Sequence, residues 1–179
     1  MRLFSKVSRV ILAAVCLSAA VALISRAGLP ERADFTGTYL EGLGSIAPEV
    51  GAFAPPFTLT LLNGGAVTVP RADPPTLINF WATWCTPCEV ELPILQVLHN
   101  EGTAFVVAVN MGEPEAQVRS WLAERQLTLP TALDTDLAVA RLYHVRGQPS
   151  TYIVRPDGRI SQIIFGAASE AALRSYLLP

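Results

Sequence analysis

Cysteine occurs three times, histidine and methionine twice each, and lysine once in 179 residues. Three cysteines are too few for a small scaffold held by disulfides instead of a core. The one lysine is Lys6, so every basic residue beyond Arg26 is an arginine. Those nine arginines face fifteen acids, a net charge of −6 over residues 27–179. A nucleic-acid surface needs a basic footprint, and this stretch has none. Charged residues make up only 16% and hydrophobic residues 51%, which excludes a disordered chain. The length suits one domain with a core of its own. The chain contains no internal repeat and no low-complexity tract.

The first 26 residues carry Arg2, Lys6, Arg9 and Arg26 and no acid. Between Arg9 and Arg26 lies Val10 to Ser25, free of charge. As a helix this run covers roughly 24 Å, a little short of a usual span. Its flanking arginines can snorkel to the interfaces. The reading is a transmembrane anchor over 1–26 with its basic end in the cytoplasm. The alternative is a cleaved signal peptide, although Arg26 fits its cleavage site poorly. Cys16 follows the bulky Val15, so it reads as an apolar filler of this segment. In either case the rest of the chain faces an oxidising, extracytoplasmic compartment. Residues 27–50, with Pro30, Gly37, Gly42, Gly44 and Pro48, read as a linker. The domain is expected over 51–179.

Within it, Phe57–Leu61 and Ala66–Val69 flank Asn63-Gly64-Gly65, a hairpin signal. Thr76–Trp81 and Ala104–Val109 are short apolar runs expected as buried strands. Val90, Ile94, Val97 and Leu98 recur at helical spacing and predict a helix over 86–99. Pro93 should kink that helix. A second helix over 115–126 buries Val118, Trp121 and Leu122, with Pro114 suited to its start. Asp134 or Asp136 caps a third through Leu142. Thr151–Val154 and Ile160–Phe165 flank the turn Pro156-Asp157-Gly158. Ser169 caps a last helix with Leu173, Tyr176 and Leu177 inward. The pattern is α/β with a mixed central sheet.

The chemistry concentrates in Trp84-Cys85-Thr86-Pro87-Cys88. Two thiols three residues apart at a strand-to-helix junction can close and reopen a disulfide. A helix N-terminus offers unpaired N–H groups and partial positive charge, which favour a thiolate. Cys85 at the helix mouth is expected to be exposed and to attack. Cys88, one turn in, is expected to be shielded and to resolve the mixed disulfide. Zinc needs four ligands. Beyond these two thiols only Cys16, His99 and His144 remain, at no finger spacing, so no metal and no cofactor are expected. A purely structural role is disfavoured, because so short a loop stabilises little. His99 and His144 read as structural, Trp81 as core, and Trp84 as part of the rim.

The segment Phe80-Trp-Ala-Thr-Trp-Cys-Thr-Pro-Cys88, with Pro93 five residues on, resembles the active site of thioredoxin-fold proteins. It is most similar to the membrane-tethered TlpA/ResA-like thiol:disulfide oxidoreductases, and the similarity covers roughly 51–179. The resemblance implies a thioredoxin-like α/β fold with an N-terminal β-hairpin at 57–69 and an extra helix within 113–143. It implies that Gly147-Gln148-Pro149-Ser150-Thr151 is the cis-proline loop, with Pro149 facing the cysteines and Gln148 offering its backbone to substrate. Trp84, Thr86, Pro87, Gln148 and Pro149 are then the expected substrate contacts. Cytosolic thioredoxins carry a buried Asp where this chain has Asn79. The resemblance instead implicates Glu91, on the Cys88 face of the helix, in handling the Cys88 proton; otherwise Glu91 is a solvated helix residue. Glu89 should point elsewhere.

The function implied is reduction of protein disulfides, among them haem-attachment cysteines of apocytochrome c, with electrons from a transmembrane donor protein. Two alternatives stay open. One is a thiol peroxidase, against which Ala82 stands where a Thr is usual. The other is a non-catalytic tethered binding module using the Pro149 groove.

Overall fold

A computed structural model describes residues 39–40 and 44–177. The segment 1–26 with Cys16, and most of the expected linker, lie outside the described residues. Among the described residues no helix is long and apolar enough to cross a membrane.

Tyr39–Leu40 (β1) and Gly44–Ser45 (β2) form a small antiparallel pair. Phe57–Thr60 (β3) and Ala66–Val69 (β4) form the expected hairpin. Thr76–Trp81 (β5) leads into helix Thr86–Asn100 (α1), then strand Phe105–Met111 (β6) and helix Glu115–Glu124 (α2). Strand Thr131–Asp134 (β7) and helix Ala138–Leu142 (α3) follow. Ser150–Val154 (β8), Ile160–Phe165 (β9) and helix Glu170–Leu177 (α4) complete the chain. The five-stranded sheet runs β7-β6-β5-β8-β9. The β5–β6 and β6–β7 pairs are parallel; β5–β8 and β8–β9 are antiparallel. This is the mixed sheet expected of a thioredoxin-like domain.

Side chains on a strand alternate between faces, and β5 shows it. Leu77 and Trp81 join the apolar cluster of Leu92, Leu95 and Leu98 from α1, Val118 and Trp121 from α2, and Leu173 from α4. Ile78 and Phe80 join the opposite cluster with Phe57, Val67 and Val69 of the hairpin, Val139 of α3, Tyr143 and Tyr152. The sheet thus separates two cores. The Tyr143 hydroxyl donates to the Pro55 carbonyl at 2.7 Å, which ties the approach to the hairpin to the loop after α3.

Several expectations are corrected. The segment 44–50 is no free linker. Phe53 N–H donates to the Ser45 carbonyl, Ala47 N–H to the Phe53 carbonyl, and Gly51 N–H to the Ile160 carbonyl. Backbone bonding builds this stretch into the domain despite its glycine and proline content. On α1, Val90 is 63% and Val97 42% exposed, while the buried face is Cys88, Glu91, Leu92, Leu95 and Leu98. The spacing of Val90, Ile94 and Val97 is helical, but it marks the outer side. Tyr176 is exposed rather than inward, because Leu173 alone anchors α4 fully. Strand β7 was not anticipated: four residues beside Pro130 show no alternation, and pairing with β6 extends them. Both aspartates cap α3. Asp134 accepts from Val139 and Ala140 N–H, and Asp136 from Ala138 N–H.

Candidate active site

Strand β5 ends at Trp81 and α1 begins at Thr86. Cys85 is the N-cap of α1, with extended backbone and Pro87 in the first turn, where no N–H is required. Its sulfur accepts from the Cys88 N–H at 3.3 Å. Cys85 and Cys88 are joined in a disulfide with Cα atoms 5.3 Å apart. Cys85 is 4% exposed and Cys88 fully buried. The order of accessibility is as expected, but Cys85 is nearly closed over rather than open. Around it Trp84 is 69% exposed, and Thr86 and Pro87 are exposed as well. Trp81 is sealed beneath, its ring 5.0 Å from that of Trp121.

Glu91 is fully buried, not solvated. Asn79 Nδ2 donates to its Oε2 at 2.8 Å. Ala168 N–H donates to its Oε1 at 3.0 Å, and the Thr151 hydroxyl lies 3.4–3.5 Å from both oxygens. Asn79 Nδ2 also donates to Thr151 Oγ1 at 2.8 Å. Burial pushes the Glu91 pKa above the ordinary carboxylate value, and the three donors only partly offset it. Asn79 occupies β5 opposite Thr151 of β8, so the sheet register brings both beneath α1. Glu89 points elsewhere, as expected, and pairs at 2.5 Å with Arg125, the residue that caps the end of α2.

A second carboxylate was missed. Glu113, in the loop between β6 and α2, is 8% exposed. It accepts from Thr83 N–H at 2.7 Å, the Thr83 hydroxyl at 2.5 Å, Asn110 Nδ2 at 2.7 Å and Gln117 Nε2 at 2.8 Å. Thr83 lies two residues before Cys85, so this carboxylate pins the loop that carries Trp84 and the cysteine. The only sequence cue is an acid between Gly112 and Pro114 at a strand end. Glu113→Ala leaves these donors without an acceptor and is expected to cost about 1–3 kcal/mol. Chemical denaturation checks this, and Glu113→Gln, which keeps one acceptor, should lose less.

The Gln148–Pro149 peptide bond is cis. Pro149 is buried, and Gln148 Nε2 approaches Met111 Sδ at 3.4 Å. Ser150 pairs with Phe80, which places this loop at the same end of the sheet as Cys85. His99 Nδ1 accepts from Val106 N–H, as suits a structural residue. His144 adopts positive φ in the turn after α3.

Residues 50–163 match the model of the AhpC/TSA family. A ResA thiol-disulfide oxidoreductase from Geobacillus kaustophilus is 33% identical over 135 residues, covering 73% of this chain and 78% of the relative. The Bacillus subtilis ResA is 31% identical over 131 residues, covering 71% and 73%. Among solved structures, a DsbE-type thiol:disulfide interchange protein from Chlorobium tepidum aligns with a TM-score of 0.65 at 26% identity, covering 72% and 95%. StoA from Bacillus subtilis aligns with a TM-score of 0.62 at 23% identity, covering 68% and 96%, a likeness of fold. A buried disulfide at a helix mouth, just beyond the central strand of a five-stranded mixed sheet, accords with these relatives, and the chain belongs to the AhpC/TSA family of the thioredoxin superfamily as a ResA-type thiol-disulfide oxidoreductase.

Proposed function

We propose that the chain is an extracytoplasmic reductase of protein disulfides, tethered through residues 1–26 with its N-terminus in the cytoplasm. The observation that carries the direction is the buried Glu91 one helical turn beyond Cys88. A carboxylate there disfavours a second negative charge on Cys88. The reduced form is then not strongly stabilised, and strong oxidants owe their potential to such stabilisation.

In the forward step the Cys85 thiolate attacks one sulfur of the substrate disulfide, and the other leaves as a thiolate. Cys88 gives its proton to the Glu91 carboxylate and attacks the Cys85 sulfur. The second substrate thiolate leaves, and the Cys85–Cys88 disulfide closes. Two electrons have passed to the substrate. Trp84, Thr86, Pro87 and the Gln148–Pro149 loop bound the approach. A transmembrane donor protein returns two electrons. The haem-attachment cysteines of an apocytochrome c are a substrate of suitable chemistry, because they must be reduced outside the membrane. Peroxidase chemistry is disfavoured: three residues before Cys85 stands Ala82, buried and without a hydroxyl.

The reduced protein is expected to precipitate insulin by cleaving its disulfides and to leave hydrogen peroxide largely unconsumed. The couple should titrate nearer −270 mV than −120 mV. The full chain should stay in the membrane fraction. A potential near the oxidising value sinks the reductase reading, and a soluble chain starting near Gly28 sinks the anchor.

A further inference from the structure

Helix α1 has two apolar faces. One is the buried face already described, and the other points to solvent. Pro87 and Pro93 are exposed, Val90 is 63% and Val97 42% exposed, and Ile94 is half-buried at the margin. At 3.6 residues per turn, Val90, Pro93 and Val97 fall on one stripe, and Trp84, 69% exposed, stands at its head. The stripe carries no charge along roughly 17 Å from Thr86 to Val97. Its charged flank is occupied, since Glu89 is paired with Arg125. A helix apolar on both sides normally has something packed on both, and contiguous exposed apolar surface marks an interaction site.

We infer that this stripe is the docking surface for the protein that exchanges its disulfide with Cys85, a partner presenting an apolar, uncharged face in a small, transient contact. Two observations select that occupant. The stripe begins at exposed Pro87, two residues from the N-cap Cys85, so a protein whose sulfur reaches Cys85 past Trp84 already lies over its first turn. Its extent, one helix face of about five side chains, is too small for a permanent interface and matches the size class of redox encounters. The inference rests on the thiol-disulfide exchange reading, and deepens it by placing recognition on side chains that take no part in the chemistry.

The test uses the reduced full chain and three substrates. Two are synthetic peptides with the same internal disulfide, one flanked by a Leu/Val-rich amphipathic segment and one with Lys and Glu in those positions. The third is glutathione disulfide. The wild-type chain is expected to reduce the apolar-flanked peptide with about tenfold higher kcat/KM, equivalent to ~1.4 kcal/mol. That is below the value of fully burying one valine. The Val90→Gln/Val97→Gln variant should treat both peptides alike and reduce glutathione disulfide at the wild-type rate. Equal rates for the two peptides in the wild type, or a preference that survives in the variant, overturn the docking surface. A wild-type chain that reduces none of the three overturns the exchange reading itself.

Discussion

With serine at position 85, disulfide exchange is expected to fall to the rate of buffer alone. With serine at 88, the protein should instead accumulate as mixed disulfides with its substrates. The asymmetry follows from burial. Cys85 retains 4% of its surface and Cys88 none. A substrate sulfur can therefore reach only the first. Cys88 sits one turn inside α1, where its N–H donates to the Cys85 sulfur, so the attacked atom and the resolving residue are held together. Removing Cys88 leaves the first exchange intact and removes the second. The check is non-reducing electrophoresis of both variants after incubation with an oxidised protein substrate. Trapping of equal strength by the two variants would reverse or abolish the assignment of attacker and resolver.

The second large effect concerns Glu91. Its folded pKa lies above the unfolded one, with burial as the main cause. For a raised pKa the sign is fixed. The stabilising contribution is complete below the unfolded value, about 4.3 for Glu, and is lost as pH rises through the folded value. The wild-type chain should thus lose stability relative to Glu91→Gln as pH climbs from 4.5 towards 8. The glutamine can be housed. Asn79 Oδ1 is buried with no hydrogen-bond partner, so a flipped Asn79 amide can accept from the new side-chain NH2 while Ala168 N–H keeps its oxygen. The same change removes the negative charge one helical turn from Cys88 on the buried face of α1. It should lower the pH at which that thiol titrates in the reduced protein and slow proton-coupled resolution. Glu89→Gln is the control, because Glu89 is turned outward to Arg125. Thiol titration and denaturation of both variants across pH 5 to 10 decide it. If the two variants match, Glu91 has no special part in the chemistry.

Much of this was legible beforehand because it depends on local chemistry. The cysteine pair, the capping aspartates, the Asn63-Gly64-Gly65 hairpin and the Pro156-Asp157-Gly158 turn each act within a few residues. Periodicity, by contrast, reports that a helix has an apolar stripe but not which way the stripe faces. Val90, Ile94 and Val97 form as regular a row as Leu92, Leu95 and Leu98. Only the position of the sheet decides between them. Helical spacing puts Glu91 on the Cys88 face, but the partners that hold its carboxylate are readable only when Asn79, Thr151 and Ala168 are brought to it by three other segments. Glu113 was invisible for that reason too, since its partner Thr83 is thirty residues away. Strand β7 has no pattern of its own and exists because β6 offers it an edge.

The division of the core by the sheet has a consequence for how the protein can change over generations. Both cysteines lie in the cluster with α1, α2 and α4, and Glu91 packs from the same helix; the aromatic cluster of Phe57, Phe80, Tyr143 and Tyr152 lies across the sheet. A substitution among those aromatics is felt as fold stability and is insulated from the dithiol by a full layer of backbone. A substitution on the cysteine side alters stability and reactivity at once. One half of the interior is therefore free to drift and be repacked, while the other is constrained twice over.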